Sequence, residues 1–127
     1  MSSFNRDNNR AVWLDIPVAD LDRSVEFYRH VLAIDVHAEQ FGEVRFAVLE
    51  HNDGNGACLV VKPDEISGEK GLLVYLNTHG RIDDAVSKVA KHGGSVMEDT
   101  HPIGPHGFRA LVLDSEGNRI ALHSEVR

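Results

Sequence analysis

Residues 18–28 read VADLDRSVEFY, and they mark the point where a strand ends and a helix begins. Residues 11–18 come just before the helix, and there aliphatic side chains alternate with Trp13, Asp15 and Pro17. This two-residue period is typical of a half-buried strand. Asp20 suits a helix N-cap, because its carboxylate can accept hydrogen bonds from the exposed backbone N–H groups. Four apolar residues then recur at helical spacing and form one stripe: Leu21, Val25, Tyr28 and Leu32.

Three further strands follow this helix. Strand patterns cover residues 36–39, 44–49 and 57–61, with turn residues at 41–43 and 52–56 between them. Pro17 cannot donate to a sheet ladder, so the first strand ends there or lies at a sheet edge. Residues 11–62 therefore form a predicted βαβββ module.

The same order of elements starts again after a polar linker at residues 63–71. A strand pattern begins at Leu72, and a helix follows that ends near His92, where Gly93 and Gly94 supply a natural C-cap. Three more strands are predicted at residues 95–100, 108–113 and 119–124. The sequence thus predicts a second βαβββ module at residues 72–124, repeating the first at a period of about sixty residues.

The fold class expected from this repeat is α+β, with two curved mixed sheets in one domain over residues 1–127. Each helix covers one face of its own sheet, so the opposite faces must meet something else. Two such sheets, from one chain or from two chains, would enclose a concave pocket.

Composition narrows the class of function. The chain has 127 residues and a formal net charge of −7, and its Lys and Arg residues are scattered, which argues against a nucleic acid partner. No apolar run is long enough to span a membrane, and the polar segment Met1–Arg10 reads as a short frayed leader without a secretory signal. These features predict a cytoplasmic protein. Cys58 is the sole cysteine and is expected to be a buried thiol.

Three segments resemble those of a known family. Residues 18–28 are similar to the signature of its first strand–helix junction, and residues 114–120, DSEGNRI, resemble the turn before its last strand. Residues 102–107, PIGPHG, look like a segment common in one bacterial branch. This family is the vicinal oxygen chelate superfamily, which includes glyoxalases, bleomycin-resistance proteins and extradiol dioxygenases. The resemblance covers residues 11–124.

The resemblance implies a metal site, and this sequence lacks its ligands. Enzymes of the family bind one divalent metal on the concave face through His, Glu or Gln from the first and last strands of each module, where it polarises two substrate oxygens. Those positions fall on Trp13, Leu73 and Ala121, with the fourth at Cys58 or Val60. Such side chains cannot hold a hard divalent ion. We therefore predict no metal and no other cofactor.

The strand register leaves this prediction open to two alternatives. A shift of one residue brings Leu14, Val74 and Leu122 to the ligand positions, which bind nothing either. A shift of two residues introduces Asp15 or His123.

Six polar and aromatic residues are the predicted ligand-binding site. With the register above, Trp13 and Tyr75 can stack on a planar ring or a cation, and Asp15 can pair with a cationic or hydroxylated ligand. Alternatively, Trp13 and Tyr75 fill a core between the sheets. Asp15 has apolar neighbours in the sequence, and its carboxylate would need a hydrogen-bonding or charged partner if it were buried. The full predicted set is Trp13, Asp15, Tyr75, Asn77, His106 and His123.

Of the eight histidines, four lie at predicted strand ends or in the glycine-rich loop and are the better candidates for a site. They are His79, His101, His106 and His123. A metal site formed by His106, His123 and Asp15 is one further hypothesis. The loop at residues 102–107 is expected to act either as a lid over the pocket or as a rigid connection.

The leading hypothesis for function is a metal-free homodimer that binds an aromatic or cationic small molecule, similar to the antibiotic-sequestering branch of the family. The alternative is a metal-dependent lyase or isomerase of the glyoxalase type with non-standard ligands. A third possibility is an interaction module whose concave faces are used up in dimer packing.

Overall fold

The computed structural model describes residues 8–127, so part of the predicted leader, residues 1–7, lies outside the described residues. The first module contains one helix and four strands: β1 (Trp13–Val18), α1 (Leu21–Leu32), β2 (Val36–Phe41), β3 (Val44–Leu49) and β4 (Gly56–Val61). The second repeats this order: β5 (Val74–Asn77), α2 (Ile82–Val89), β6 (Ser95–Pro102), β7 (Phe108–Leu113) and β8 (Arg119–Ser124). The predicted pair of βαβββ modules is confirmed.

Each module forms one four-stranded mixed sheet. The strand orders are β1-β4-β3-β2 and β5-β8-β7-β6, with the first strand of each module parallel to its last. Pro17 therefore lies on an edge strand, as its missing N–H requires. The fold class is α+β.

Five strand boundaries differ from the prediction, among them the start of β1 at Trp13 rather than Ala11 and the start of β4 at Gly56 rather than Ala57. β5 begins at Val74 rather than Leu72, because the residues before it are not paired in the sheet and Leu72 is 90% exposed. β2 extends to Phe41, which pairs with Val44 and leaves a tight two-residue turn. β6 extends to Pro102, because shifts in its register with β7 let the pairing continue to that residue.

The core lies between the helices and one face of each sheet. Alternate residues such as Ile16 and Val18 in β1, and Ile120 and Leu122 in β8, belong to one buried cluster that spans both modules. We call the opposite face of each sheet its outer face, and neither helix covers it. Since side chains alternate along a strand, Trp13, Asp15, Tyr75 and Asn77 lie on the outer faces. No helix among residues 8–127 has the length and apolar character needed to cross a membrane.

The signature segments at residues 18–28 and 114–120 contact each other across the modules. The Tyr28 hydroxyl donates to Asp114 at 2.6 Å inside the core. The Glu116 carboxylate accepts hydrogen bonds from the backbone N–H of Asp20 at 2.8 Å and from the Arg23 guanidinium at 2.7 Å. The resemblance therefore rests largely on residues that join the two halves of the fold.

Candidate functional site

A cavity of about 520 Å³ lies between β5 and the end of the first sheet at which β1 and β4 begin. Trp13, Tyr75 and Asn77 line it, together with aliphatic residues that include Leu14, Leu32 and Leu76. Its size and its mostly apolar wall with a few polar groups are typical of a small-molecule site. Three of the six predicted site residues thus share one cavity.

The two aromatic residues of this cavity do not belong to the core of the chain. Trp13 is half-buried and packs edge-on against the imidazole of His51, with ring centroids 5.5 Å apart. Tyr75 is 47% exposed. Both rings therefore have surface available to a ligand, or to a second chain.

His106 and His123 border a second groove beside the β6–β7 turn. One ring nitrogen of His123, Nε2, lies 2.7 Å from the His106 carbonyl oxygen. Because a carbonyl only accepts, this nitrogen carries a proton, and the other nitrogen of neutral His123 remains an acceptor. Asn77 and His123 are direct neighbours in the sheet, so this groove adjoins the aromatic residues.

The loop at residues 102–107 forms a short closed turn. The N–H of Ile103 donates to the Gly107 carbonyl at 2.9 Å. Gly107 has a φ of +93°, and a Cβ there would lie 2.4 Å from the backbone oxygen of Ser124. These contacts favour the rigid connection over the lid.

Asp15 does not share a cavity with the other predicted site residues. It is exposed rather than buried, lies on the first sheet and lines neither cavity. Its carboxylate accepts a hydrogen bond from the Cys58 thiol at 3.2 Å. Cys58 is 7% exposed, as predicted for a buried thiol, and its burial raises the pKa of the thiol.

The residues at the expected metal positions do not fit a divalent ion. Leu73 precedes β5, so the outer-face neighbour of Ala121 is Tyr75. Trp13 lies beside Gly56 in the first sheet. Within residues 8–127, no three His, Cys, Asp or Glu side chains come together as a metal-binding group. The hypothetical metal site of Asp15, His106 and His123 is therefore not formed among these residues. Indole, phenol and methyl groups are poor ligands for hard cations.

A residue that the sequence analysis did not single out, Arg109, occupies the outer face of the second sheet. Its Nη1 donates to the Tyr75 hydroxyl at 2.5 Å, and its Nε donates to Nε2 of His101 at 3.2 Å. Since β8 lies between β5 and β7, the link from Arg109 to Tyr75 crosses over β8 beside Ala121. A fixed guanidinium at that position would repel a metal cation. The sequence did offer one sign of this residue, because Arg109 is the only charged side chain in the otherwise apolar strand FRALVL.

The profile of the Glyoxalase/Bleomycin resistance protein/Dioxygenase superfamily, which is the vicinal oxygen chelate superfamily, matches residues 10–122. The chain belongs to this superfamily. Comparison with curated proteins gives no match.

Solved structures share the fold of this superfamily member at low sequence identity. A hypothetical protein from S. aureus is 16% identical, with 94% of this chain and 96% of that chain covered and a TM-score of 0.71. A glyoxalase/bleomycin resistance protein from Albidiferax ferrireducens is 15% identical over 90% and 97% of the two chains, with a TM-score of 0.71. The fosfomycin resistance protein FosX from Listeria monocytogenes is 11% identical over 90% and 91%, with a TM-score of 0.68. At these identities the likeness concerns the fold alone.

Proposed function

We propose that this protein binds a planar or cationic small molecule in the cavity lined by Trp13 and Tyr75, without the divalent metal of the family's enzymes. The observation that carries the proposal is the cavity itself, with two partly exposed aromatic rings above an aliphatic wall. Aromatic faces attract planar rings and cations, and the aliphatic wall favours apolar surface.

Two polar groups of the cavity support a cationic or hydrogen-bonding ligand. Glu50 lines the cavity, and the chain as a whole carries a net charge of −7. The side-chain oxygen of Asn77 accepts from the His79 N–H at 2.8 Å, which leaves the Asn77 amide N–H groups as donors. A few polar groups of this kind orient a ligand that apolar contact holds.

The metal-free part of the proposal is supported by the chemistry of the donor set. The outer-face positions beside Ala121 and Gly56 carry Tyr75 and Trp13, and the charge of Arg109 lies nearby. A glyoxalase-type lyase or isomerase would need a metal held elsewhere, and no observation in the described residues favours one.

We also propose that the protein is a homodimer. Phe41 and Val44 at the β2–β3 turn of the first sheet are 79% and 49% exposed. A second chain would remove this apolar surface from water. The cytoplasmic location and the absence of a nucleic acid partner remain predictions from the sequence.

Trp13 offers a direct test, because it is the only tryptophan in the chain. We suggest titrating the protein with 1-methylquinolinium, with neutral quinoline and with cyclohexylammonium while following tryptophan emission and the melting temperature. The proposal predicts saturable quenching and a raised melting temperature with the aromatic compounds, since native-state binding stabilises the fold.

The variant Trp13→Ala is expected to bind these probes at least about tenfold more weakly, because it removes the largest stacking surface. Leu72→Ala is the matched control, since Leu72 is 90% exposed and does not line the cavity. Unfolding of Trp13→Ala at room temperature would instead place Trp13 in the core. If the wild-type protein binds none of the probes but is a stable dimer, the interaction module becomes the better account.

A further inference from the structure

The outer face of the second sheet carries a row of four polar side chains, one from each strand. Asn77 of β5 pairs with His123 of β8, His123 pairs with Arg109 of β7, and Arg109 pairs with His101 of β6. Directly paired residues point to the same side of a sheet. The guanidinium of Arg109 therefore lies in a continuous polar strip, next to Tyr75.

The partners that hold Arg109 are uncharged. The Nδ1 of His101 lies 2.8 Å from the Asp99 carbonyl oxygen and so carries the proton of a neutral ring, which leaves Nε2 to accept from Arg109 at 3.2 Å. The Tyr75 hydroxyl is the other acceptor, at 2.5 Å. These two contacts fix the position of the guanidinium but leave its charge uncompensated.

Five other arginines form ion pairs with carboxylates, whereas Arg109 and Arg119 form none within residues 8–127. Arg23, Arg29 and Arg81 form ion pairs of 2.7, 2.5 and 2.6 Å. Within residues 8–127, Arg109 has no carboxylate within 4 Å, although the chain contains 20 acidic residues and 13 basic ones. A half-buried arginine held rigidly by neutral groups is suited to an external anion.

The hydrogen-bond donors that remain define the shape of that anion. Arg109 keeps one N–H on Nη1 and two on Nη2, and the Tyr75 hydroxyl, which accepts from Arg109, retains its own proton to donate. The planar edge of a guanidinium matches the two oxygens of a carboxylate.

We infer that Arg109 and Tyr75 bind the carboxylate group of a small organic acid on the outer face of the second sheet. This inference goes beyond the proposed function, which leaves the anionic part of any ligand unspecified. A dianion such as phosphate fits less well, because a single guanidinium faces it, Glu98 lies opposite Leu111 on the same face, and the net charge is −7.

The test is an NMR titration of the full chain with benzoate, its neutral analogue benzamide, and inorganic phosphate. Benzoate is expected to shift the Nε–H signal of Arg109 saturably at millimolar concentration, while benzamide leaves it unchanged and phosphate binds more weakly than benzoate. Arg109→Gln should weaken benzoate binding about tenfold or more, and Tyr75→Phe by a smaller factor.

Two control variants separate this site from other effects. Arg45→Gln removes an arginine from a strand of the other sheet, where its side chain is 56% exposed, and should leave benzoate binding unchanged. Trp13→Ala should also retain it, so failure of the aromatic cavity and failure of the carboxylate site are distinguishable. The inference is overturned if benzoate causes no saturable shift up to about 10 mM. It is equally overturned if Arg45→Gln weakens binding as much as a folded Arg109→Gln does, or if phosphate binds more tightly than benzoate.

Discussion

At the scale of single residues, the two tyrosines of this chain show how position determines role. Tyr28 is fully buried, and burial together with the negative charge of Asp114 raises the pKa of its hydroxyl well above the usual value. Tyr75 is 47% exposed, and its hydroxyl accepts from Arg109 on the outer face. Tyr28 therefore belongs to the core, whereas the Tyr75 hydroxyl is accessible for the binding role that we propose.

The substitution Tyr28→Phe should lower the free energy of unfolding by about 1.5 to 3 kcal/mol, because it removes a buried donor from a carboxylate. Urea denaturation would measure this loss. Tyr75→Phe is the matched control and should cost less than about 0.5 kcal/mol, since its hydroxyl lies at the surface. Equal losses in the two variants would show that the bond from Tyr28 to Asp114 contributes no special stability.

At the scale of elements, the start of α1 and the β7–β8 turn are joined through Glu116. The side chain of Glu116 has no exposed surface. Burial alone would raise its pKa, but hydrogen bonds from Arg23, the Asp20 backbone, Ser115 and the Ala19 backbone lower the pKa to about 2. The ionised carboxylate is thus favoured in the folded state, and this link between the modules depends on its charge.

Glu116→Gln should destabilise the protein by about 2 to 3 kcal/mol at neutral pH, because it removes the charge that these donors surround. The pKa of Glu116 is lower in the folded state than its ordinary value of 4.5, so the contribution is fully present above that pH and is lost as the pH falls toward 2. Urea unfolding of both proteins at several pH values should show their difference narrowing over this range.

Glu65→Gln serves as the control for this measurement. Glu65 forms an exposed pair with Lys62 at 3.8 Å, and such pairs contribute little. A difference between wild type and Glu116→Gln that stays constant from neutral to acid pH would contradict the assigned role of the carboxylate.

For the whole molecule, the order of elements could be predicted from the sequence because both modules have strong local patterns. Alternation fixed which residues of β1 face the core, and the N-cap expected at Asp20 is present, with a hydrogen bond from the Arg23 N–H at 3.0 Å. The start of β5 was placed too early, since the leucines before it continue the apolar pattern without strand pairing. A local hydrophobic pattern does not show which residues form hydrogen bonds with a neighbouring strand.

The site was less predictable, because its geometry depends on contacts between distant segments. Trp13 and Tyr75 were selected from strand position alone, and their common cavity depends on how β5 lies against the first module. Arg109 was missed because its importance comes from His101 and Tyr75, which precede it by 8 and 34 residues. The stacking of His30 on His92, with ring centroids 4.1 Å apart, was missed for the same reason, since it joins α1 to the short turn that follows α2.

The central claim is that side chains of the cavity, and no divalent metal, bind the ligand. The most direct test is the saturable quenching of Trp13 by 1-methylquinolinium, measured on protein treated with a chelator and then again after addition of Ni²⁺, Zn²⁺ or Mn²⁺. Our account predicts one binding curve under all of these conditions. Loss of binding on chelation, with recovery on addition of one of the metals, would contradict it.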